Sequence, residues 1–413
     1  MIKFKWETEF KQTEIGEVPG EWEVRRLKEI VRFIKGISYK SSEINSEEMG
    51  QLFITLNNFL RGGGFKNEEF KYYTGNKAKE EQRVKKGDLI IALTDMTSEA
   101  KVVGAPAIVS IPNNYDYGFI SLDCAKAISL NRISNQYLCF YLSISQEESA
   151  TFANGVNVLH LNLDHFVEHK LIPYPPPPEQ SRIATVLSWF DDLIENKKRQ
   201  NEILEKVAMA IFKSWFVDFE LFKDEEFGYS EELGKEIPMG WEVKAIGEVV
   251  DILYGKGLPE SKRKNGSFPV VGSSGIVGYH AQFLATPPSI VIGRKGNAGS
   301  VYLMLEPFYP IDTVFYTGKT TPAITFYIYH HLKLTPLAEI GMTDTAVPGI
   351  NINNLKAVKI PIPPQPILQH FHSLVEPLFQ KITLNQKQIM VLRKIRDALL
   401  PKLVFGRLRV EEI

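Results

Sequence analysis

The side-chain pattern closest to an enzyme active site is an acidic residue followed by Glu-x-Lys, the arrangement found in metal-dependent nucleases. It occurs twice, as Asp251 with Glu260-Ser-Lys262 and as Asp191 or Asp192 with Glu195-Asn-Lys197. The first copy has no second carboxylate that would complete a metal site between two strands, and the second lies within a helical repeat. His165 and His169 are four residues apart, but no third ligand follows them. Glycine-rich nucleotide loops are absent as well, so the sequence predicts neither a catalytic nor a metal site.

A second set of side chains lies in glycine-rich loops and has the chemistry that reading a DNA groove requires. Arg and Lys bond the guanine edge, Asn bonds the adenine edge, and Ser, Thr and backbone amides position phosphates. The candidate DNA-contacting residues are Asn57, Asn58, Arg61, Lys66, Thr97, Lys101, Lys256, Lys262, Arg263, Lys264, Arg294, Lys295 and Asn297. Basic loops of this kind are also common as ordinary solvated turns, so that alternative stays open.

Charge and composition limit what such loops can do. The 413 residues include 48 Lys and Arg against 49 Asp and Glu, for a net charge of −1. This balance excludes a broadly basic surface, so any contact with nucleic acid must come from local patches. No apolar run is long enough to span a membrane, and the first residues lack the apolar core of a signal peptide. We therefore expect a cytoplasmic protein whose two cysteines are reduced and buried.

The elements that must position these loops are two long helical segments that repeat at a constant offset of 188 residues, 172–217 and 360–405. Each has a 3/4-spaced apolar stripe over about five heptads, which is the signal of a coiled coil. The predicted stripe residues are Ile183, Leu187, Phe190, Ile194, Lys197, Asn201, Leu204 and Ile211, with Val375, Leu378, Ile382, Asn385, Ile389, Leu392 and Leu399. Lys197, Asn201 and Asn385 interrupt the stripes. An antiparallel pair with level midpoints would bring them together. The alternative is two unrelated helices, each packed on a different domain.

A globular module precedes each helical segment, and the two modules open alike. Trp22 matches Trp241 and Gly36 matches Gly255 at an offset of 219 residues. Both modules have short apolar runs between Gly, Pro, Asn and Asp turns, which predicts β-rich domains. The change of offset from 219 to 188 indicates two related modules with different inserts. The prolines at 175–178 predict a stiff connector outside the helix, and the tail at 406–413 is expected to be frayed.

The whole chain resembles the specificity subunit of type I restriction-modification systems. The resemblance rests on "IGEVPGEWEV" and "IPMGWEV" at the module starts and on the Pro-x-x-Glu-Gln-x-x-Ile pattern that begins at Pro176. "GSSGIVGYH" with "GRKGNAGSVY" resembles a recurrent type of target-recognition domain in this family. The second helical segment departs from the pattern, because Ile367 and Leu368 replace Glu179 and Gln180.

The resemblance implies a non-catalytic DNA reader of the α+β class. Two β-rich target-recognition domains in a tandem pseudo-repeat would be joined and separated by two long helices that form an antiparallel coiled coil. The expected boundaries are an N-terminal lead-in at 1–17, target-recognition domain 1 at 18–177, a central helical spacer at 178–220, a linker at 221–234, target-recognition domain 2 at 235–363, and a C-terminal helical spacer and tail at 364–413.

The resemblance also implies the partners. Each domain would read one half of a bipartite site in double-stranded DNA, and the helices would set the spacing and dock two methyltransferase subunits, with two restriction subunits completing the enzyme. This chain would bind no cofactor, since S-adenosylmethionine, ATP and Mg would belong to the partner subunits. Two rival interpretations remain. One is a protein-interaction scaffold that does not bind DNA, which the near-zero charge favours, and the other is an enzyme, either a self-contained nuclease or a fused type IIG protein.

Overall fold

The chain is divided into two compact units in the computed structural model, which describes residues 2–340 and 349–413. Unit 1 comprises Met1–Ile194 and Met390–Ile413, and unit 2 comprises Glu195–Ile389. The boundaries fall inside the two long helices, so each helix contributes residues to both units.

Unit 1 contains seventeen of the described strands before the first long helix. They are β1 Lys3–Trp6, β2 Phe10–Thr13, β3 Gly16–Pro19, β4 Glu23–Arg26, β5 Val31–Lys35, β6 Ile44–Asn45, β7 Gln51–Ile54, β8 Lys71–Tyr73, β9 Arg83–Val84, β10 Leu89–Ala92, β11 Thr94–Asp95, β12 Pro106–Ile108, β13 Gly118–Ile120, β14 Cys124–Ser129, β15 Ala153–Asn154, β16 Leu159–Leu161 and β17 Leu171–Tyr174. The helices are α1 Leu27–Ile30, α2 Asn135–Ile144, α3 Gln146–Ala150, α4 Leu163–His169 and the long α5 Pro177–Phe216.

Unit 2 repeats part of this order with fewer strands. Its described strands are β18 Phe227–Ser230, β19 Lys235–Pro238, β20 Glu242–Ala245, β21 Ile252–Tyr254, β22 Phe268–Gly272, β23 Gly275–His280, β24 Ser289–Gly293, β25 Val301–Met304, β26 Tyr309–Pro310, β27 Val314–Thr317 and β28 Lys359–Ile362. The helices are α6 Ile246–Val249, α7 Pro322–Leu334, α8 Leu337–Ile340, α9 Ile352–Lys356 and the long α10 Gln365–Val404, after which strand β29 Leu408–Glu412 belongs to unit 1.

The same four-stranded antiparallel sheet lies at the centre of each unit. Its order is β12-β10-β14-β5 in unit 1 and β25-β24-β27-β21 in unit 2. A parallel strand pair accompanies each sheet, β7 with β13 and β22 with β26. The prediction of two related modules is therefore confirmed, and the mixed helix and sheet content agrees with the predicted α+β class.

The long helices pair antiparallel within each unit. In unit 2 the Asn385 amide donates to Asn201 Oδ1 at 2.9 Å, and Lys197 Nζ donates to Gln388 Oε1 at 2.5 Å. In unit 1, Arg396 Nη1 lies 2.6 Å from an oxygen of Asp191. Residue numbers rise along one helix as they fall along the other, and the polar layer meets as predicted. The alternative of two unrelated helices is therefore wrong.

The apolar stripe follows the heptad prediction along most of the pair and then drifts by one residue. Ile183, Leu187 and Val375 are fully buried, as expected. Near the end of α5, however, Phe212 and Phe216 are completely buried, whereas the predicted position Ile211 is only partly covered. A straight α-helix drifts by about 20° per heptad relative to a 3.5-residue repeat. In addition, Phe216 packs against Trp241 and Tyr327 of the globular module as well as against α10.

The family-like Pro-x-x-Glu-Gln motif at the start of α5 has a structural role. Glu179 is buried; it accepts a hydrogen bond from Trp22 Nε1 at 2.9 Å and is paired with Arg409. Gln180 accepts from the Ser134 amide at 2.9 Å and donates to the Pro175 carbonyl at 2.8 Å. These bonds fasten the helix start to its module. In the second copy, Leu368 joins an apolar core instead, which explains the departure seen in the sequence.

Three local predictions need correction. The tail is not frayed, because Leu408–Glu412 pairs antiparallel with Lys3–Trp6 and its Val410 is buried. The proline run is not wholly a connector, because Pro177 begins α5, where a missing amide costs no helical hydrogen bond. The polar linker at 221–234 contains Phe227–Ser230, which pairs with Lys235–Pro238 in a hairpin.

Lys170 is a fully buried lysine beside α4 in unit 1. Its Nζ donates to Glu148 at 2.7 Å and lies 5.3 Å from the centre of the Tyr141 ring. Burial lowers the pKa of Lys170, and the bond to Glu148 offsets this only in part.

We expect Lys170→Met to leave unit 1 at least as stable as the parent, because Glu148 is largely exposed and is not stranded by the change. The unfolded chain binds the lysine proton more tightly than the native one, so the parent should gain stability as pH rises towards the ordinary lysine pKa. Urea unfolding between pH 7 and 10 should show this gain in the parent and a flatter profile in Lys170→Met. The prediction would be contradicted if the unfolding free energy of Lys170→Met rose with pH as steeply as that of the parent. Lys126→Met, in the same unit, is the matched control.

Candidate nucleic-acid interface

Four of the predicted DNA-contacting residues of unit 2 come together around one short segment, residues 310–313. The Lys256 amide donates to the Pro310 carbonyl at 3.0 Å, and the Arg294 and Lys295 amides donate to the Thr313 carbonyl at 2.8 and 3.2 Å. Asn297 follows in the same tight turn, and its side chain is exposed. The tip of the β22–β23 hairpin joins them, since the Ser273 amide bonds Thr313 Oγ1 at 3.3 Å. We call this surface the unit 2 loop cluster.

Arg294 is the cation of the unit 2 loop cluster whose side chain is held by aromatic rings. Its guanidinium carbon lies 5.1 Å from the centre of the half-exposed Tyr254 ring and 5.8 Å from that of Phe315. One terminal nitrogen reaches the Asp312 carbonyl at 3.4 Å, and no carboxylate of the described residues pairs with it within 4 Å. A guanidinium supported by aromatic rings loses little freedom when it forms a paired hydrogen bond with a base or phosphate. The residue is therefore suited to groove recognition.

The other basic triplet of unit 2 lies along the β22–β23 hairpin instead. Arg263 Nη1 donates to the Val277 carbonyl at 2.7 Å, and the Lys264 amide donates to His280 Nδ1 at 2.9 Å. Lys262 is exposed at the end of a short 3-10 turn. The contacts thus assign Arg263 a role in fixing the loop, while the Lys262 and Lys264 side chains face solvent.

In unit 1 the first predicted loop divides into exposed and structural residues. Asn58 is fully buried, and its side-chain amide donates to the Lys66 and Glu68 carbonyls while its oxygen accepts from the Thr55 amide. Its hydrogen-bonding groups are therefore occupied, and its inclusion among DNA-contacting residues needs correction. The neighbouring Asn57 side chain is exposed.

The three basic side chains of unit 1 that were predicted to contact DNA are paired with carboxylates. Arg61 lies 2.7 Å from Glu99, and Lys101 lies 2.7 Å from Glu147, in the walls of an open pocket of about 480 Å³. The Lys101 hydrogen bond lowers the pKa of Glu147. Lys66 lies 3.0 Å from Glu69. The amide and the hydroxyl of Thr97 both donate to Asp95, which fixes the turn that carries Thr97.

Nothing in the sequence indicates that segment 310–313 organises the site. This stretch, Pro-Ile-Asp-Thr, has no glycine or basic residue, and its contribution is made through backbone carbonyls. The exposed Tyr254 ring beneath Arg294 was missed for a similar reason, because a strand aromatic is usually a core residue.

Comparisons with known proteins identify the family to which this chain belongs. A family model described as "Type I restriction modification DNA specificity domain" matches residues 19–206 and again 238–394. The chain belongs to the family of type I restriction-modification specificity subunits. The type I restriction enzyme MjaIX specificity subunit of Methanocaldococcus jannaschii is 39% identical, over all of this chain and 99% of its own length. The HindI specificity subunit of Haemophilus influenzae is 21% identical over 85% of this chain and 94% of its own.

A solved structure agrees with this assignment at the level of the fold. The crystal structure of the type I restriction-modification S subunit from M. genitalium matches with a TM-score of 0.57 and 19% identity, over 93% of this chain and 96% of that one. This specificity subunit therefore has two tandem DNA specificity domains. The interpretation as a scaffold that does not bind DNA is not supported. No helix among residues 2–340 and 349–413 is long and apolar enough to cross a membrane.

Proposed function

We propose that each unit reads one half of a bipartite DNA site and that the chain itself performs no chemistry. The observation that carries the proposal is the unit 2 loop cluster. Backbone hydrogen bonds bring Lys256, Arg294 and Lys295 to a single segment, and Asn297 follows in the same turn. Such a set can bond phosphates and base edges together, which is what sequence-specific binding requires. The cluster is local, consistent with a net charge of −1.

The proposal assigns two functions to the paired helices. Their polar layer at Asn201 and Asn385 fixes one register, and a fixed register allows one number of unread base pairs between the half-sites. They also dock the methyltransferase subunits. Exposed apolar side chains a helical turn apart support this, Trp189 with Leu193 in unit 1 and Ile203 with Val207 in unit 2. Restriction subunits complete the assembly, and S-adenosylmethionine, ATP and Mg are bound by the partners.

The test is to express the chain with its methyltransferase subunit in a host without adenine methylation and to sequence the methylome. The expected result is a single bipartite motif of methylated adenine with a gap of constant length. Methylation without a motif, or a continuous motif, would contradict the proposal. As a second readout, the affinity of the complex for DNA should fall steeply with salt concentration because bound phosphates release counterions.

Replacing Arg294 by Lys should change one half of the motif. The substitution keeps the charge but removes the planar donor fork, so a base contact should lose about 1–3 kcal/mol of discrimination, whereas a phosphate contact should lose little. The measurement is the methylome motif and binding to DNA with each base pair changed in turn. Lys319→Ala, on an exposed lysine after β27, is the control. An unchanged motif would remove Arg294 from base reading.

Lengthening both helices by one heptad should change the recognised gap. Duplicating residues 198–204 in α5 and 382–388 in α10 preserves the 3/4 spacing of the stripe on each helix. We expect either a motif with a longer gap and unchanged half-sites or loss of recognition with both units still folded. A seven-residue insertion at 223–226, outside the helices, is the control. The same gap after the paired duplication would contradict the proposed role of the helices.

A further inference from the structure

The loop cluster of unit 2 has an equivalent in unit 1, which the backbone hydrogen bonds identify residue by residue. This inference rests on the proposed function. Corresponding donors and acceptors form the same bonds in both units. In unit 1 the bonds, each from the amide of the first residue to the carbonyl of the second, are Gly36 to Cys124, Ile37 to Ile120, Leu93 to Asp123, Leu161 to Leu93, Gly104 to Ala92 and Ser121 to Ile54. The corresponding bonds in unit 2, in the same order, are Gly255 to Val314, Lys256 to Pro310, Arg294 to Thr313, Ile350 to Arg294, Gly299 to Gly293 and Ile311 to Val271.

The packing at the first pair confirms the correspondence. A Cβ on Gly36 would lie 2.2 Å from the Ser121 carbonyl oxygen, and one on Gly255 would lie 1.9 Å from the Ile311 carbonyl oxygen. Only glycine allows the chain to pass so close to these carbonyls. The two sites share a frame that was not evident from the loop sequences, which have different lengths and compositions.

The matched hydrogen bonds identify the residue of unit 1 that corresponds to each residue of the unit 2 loop cluster. Leu122 corresponds to Asp312, and Thr94 corresponds to Lys295. His160 corresponds to Gly349, because His160 is the strand partner of Thr94 and Gly349 is the bridge partner of Lys295. The turn between the matched strands is longer in unit 1, spanning 93–103 against 294–298 in unit 2, and it carries Met96 at its tip.

The unit 1 surface presents different chemistry. Met96 is 69% exposed and Leu122 is 47% exposed, although both are apolar. His160 is exposed, and its Nδ1 lies 3.3 Å from Thr94 Oγ1, which orients the ring and leaves Nε2 for another partner. The predicted cations of this unit, Arg61 and Lys101, pair with carboxylates elsewhere.

We infer that Met96, Leu122 and His160 are specificity-determining residues of unit 1 and that they contact thymine methyl groups and a neighbouring base edge in the major groove. The thymine C5-methyl is the one apolar group on a base edge in that groove. Apolar side chains that are exposed in the free protein gain from covering it, and an imidazole nitrogen can bond the adjacent base or phosphate. The two half-sites are thus read by unlike means, apolar contact in unit 1 and a guanidinium in unit 2.

The test uses the complex with its methyltransferase subunit and the motif found by methylome sequencing. DNA is prepared with every thymine of one half-site replaced by deoxyuridine, which removes only the methyl groups. The replacement should weaken binding by the parent in only one of the two half-sites. There, the affinity should fall about fourfold relative to thymine DNA for each contacted methyl, because burial of one such group contributes about 0.8 kcal/mol. Met96→Ala and Leu122→Ala should weaken binding to thymine DNA and abolish the difference between thymine and uracil.

Matched controls come from the same unit. Leu130 follows strand β14 at the opposite end from Leu122, and Met49 is 62% exposed, close to the 69% of Met96. Leu130→Ala and Met49→Ala should bind like the parent. His160→Ala should relax one base pair in the same half-site that responds to uracil.

Equal affinity for thymine and uracil DNA in both halves would overturn the inference, as would a motif that contains no A·T pair in the unit 1 half. A parent complex that methylates no bipartite motif would instead contradict the proposed function. Because the motif is measured before the variants, the two failures are distinguishable.

Discussion

Replacing Arg409 by Ala should destabilise unit 1 by about 3–5 kcal/mol, since it strands a buried carboxylate. Arg409 lies between Glu7 and Glu21 at 2.5 Å each and Glu179 at 2.6 Å, and its guanidinium carbon is 5.6 Å from the Trp22 ring centre. The Glu179 side chain is only 3% exposed, so it cannot regain water without unfolding the helix start. The exposed partner Glu21 should contribute little.

The measurement is hydrogen exchange of the intact protein, read separately on peptides of unit 1 and unit 2. Protection should fall in β1, β29 and the first turns of α5. Arg407→Ala is the control, because Arg407 lies two residues earlier in the same segment and is exposed. The double variant Arg409→Met with Glu179→Leu should recover much of the loss. Equal protection in the parent and Arg409→Ala would show that the ion cluster is energetically neutral.

Acidification from pH 6.5 to 4 should destabilise unit 2 by about 3 kcal/mol through His330. This side chain is 1% exposed, and burial lowers its pKa to about 4. The unfolded chain takes up a proton near pH 6.5 while the native protein resists protonation, so stability is complete above pH 6.5 and is lost as pH falls towards 4. Burial also lowers the pKa of His331 to about 3, which acts in the same direction.

His330→Phe should remove most of this acid dependence. The ring is stacked on Phe212 with centroids 5.4 Å apart and contacts Phe371 edge-on, so an aromatic replacement retains the packing. The measurement is the urea midpoint of unit 2 at pH 7 and at pH 4.5, in the parent and in His330→Phe. The difference between the two pH values is unaffected by any loss of packing in the variant that is the same at both. His370→Gln, on an exposed histidine of α10, should behave like the parent. An equally steep loss in His330→Phe would assign acid sensitivity to other groups.

The large features of the fold were predictable because they depend on periodicity. The stripes of 183–211 and 375–399 and the polar interruption at Asn201 and Asn385 are properties of spacing alone, and the contact between those two side chains follows from level midpoints. The paired openings at Trp22 and Trp241 likewise indicate two modules from the sequence alone.

The site was harder to predict because non-local backbone bonds assemble it. The register that places Lys256 beside Pro310 joins residues more than fifty positions apart, and no loop motif encodes it. Residue type also misled: Asn58 has the chemistry of an adenine reader but is used to close its own turn. The exposure of Met96 and Leu122 could not be predicted either, because apolar side chains normally indicate a core.

The pairing of β1 with β29 has a consequence for how this protein is made. Unit 1 buries Leu403, Val404, Leu408 and Val410 in its core, yet these residues leave the ribosome only after all of unit 2 has been synthesised. Unit 2 is continuous in sequence and can complete its fold first. The unit that begins the chain is therefore the last to mature, and until then its unfinished apolar surface depends on chaperones or on rapid elongation for protection from aggregation.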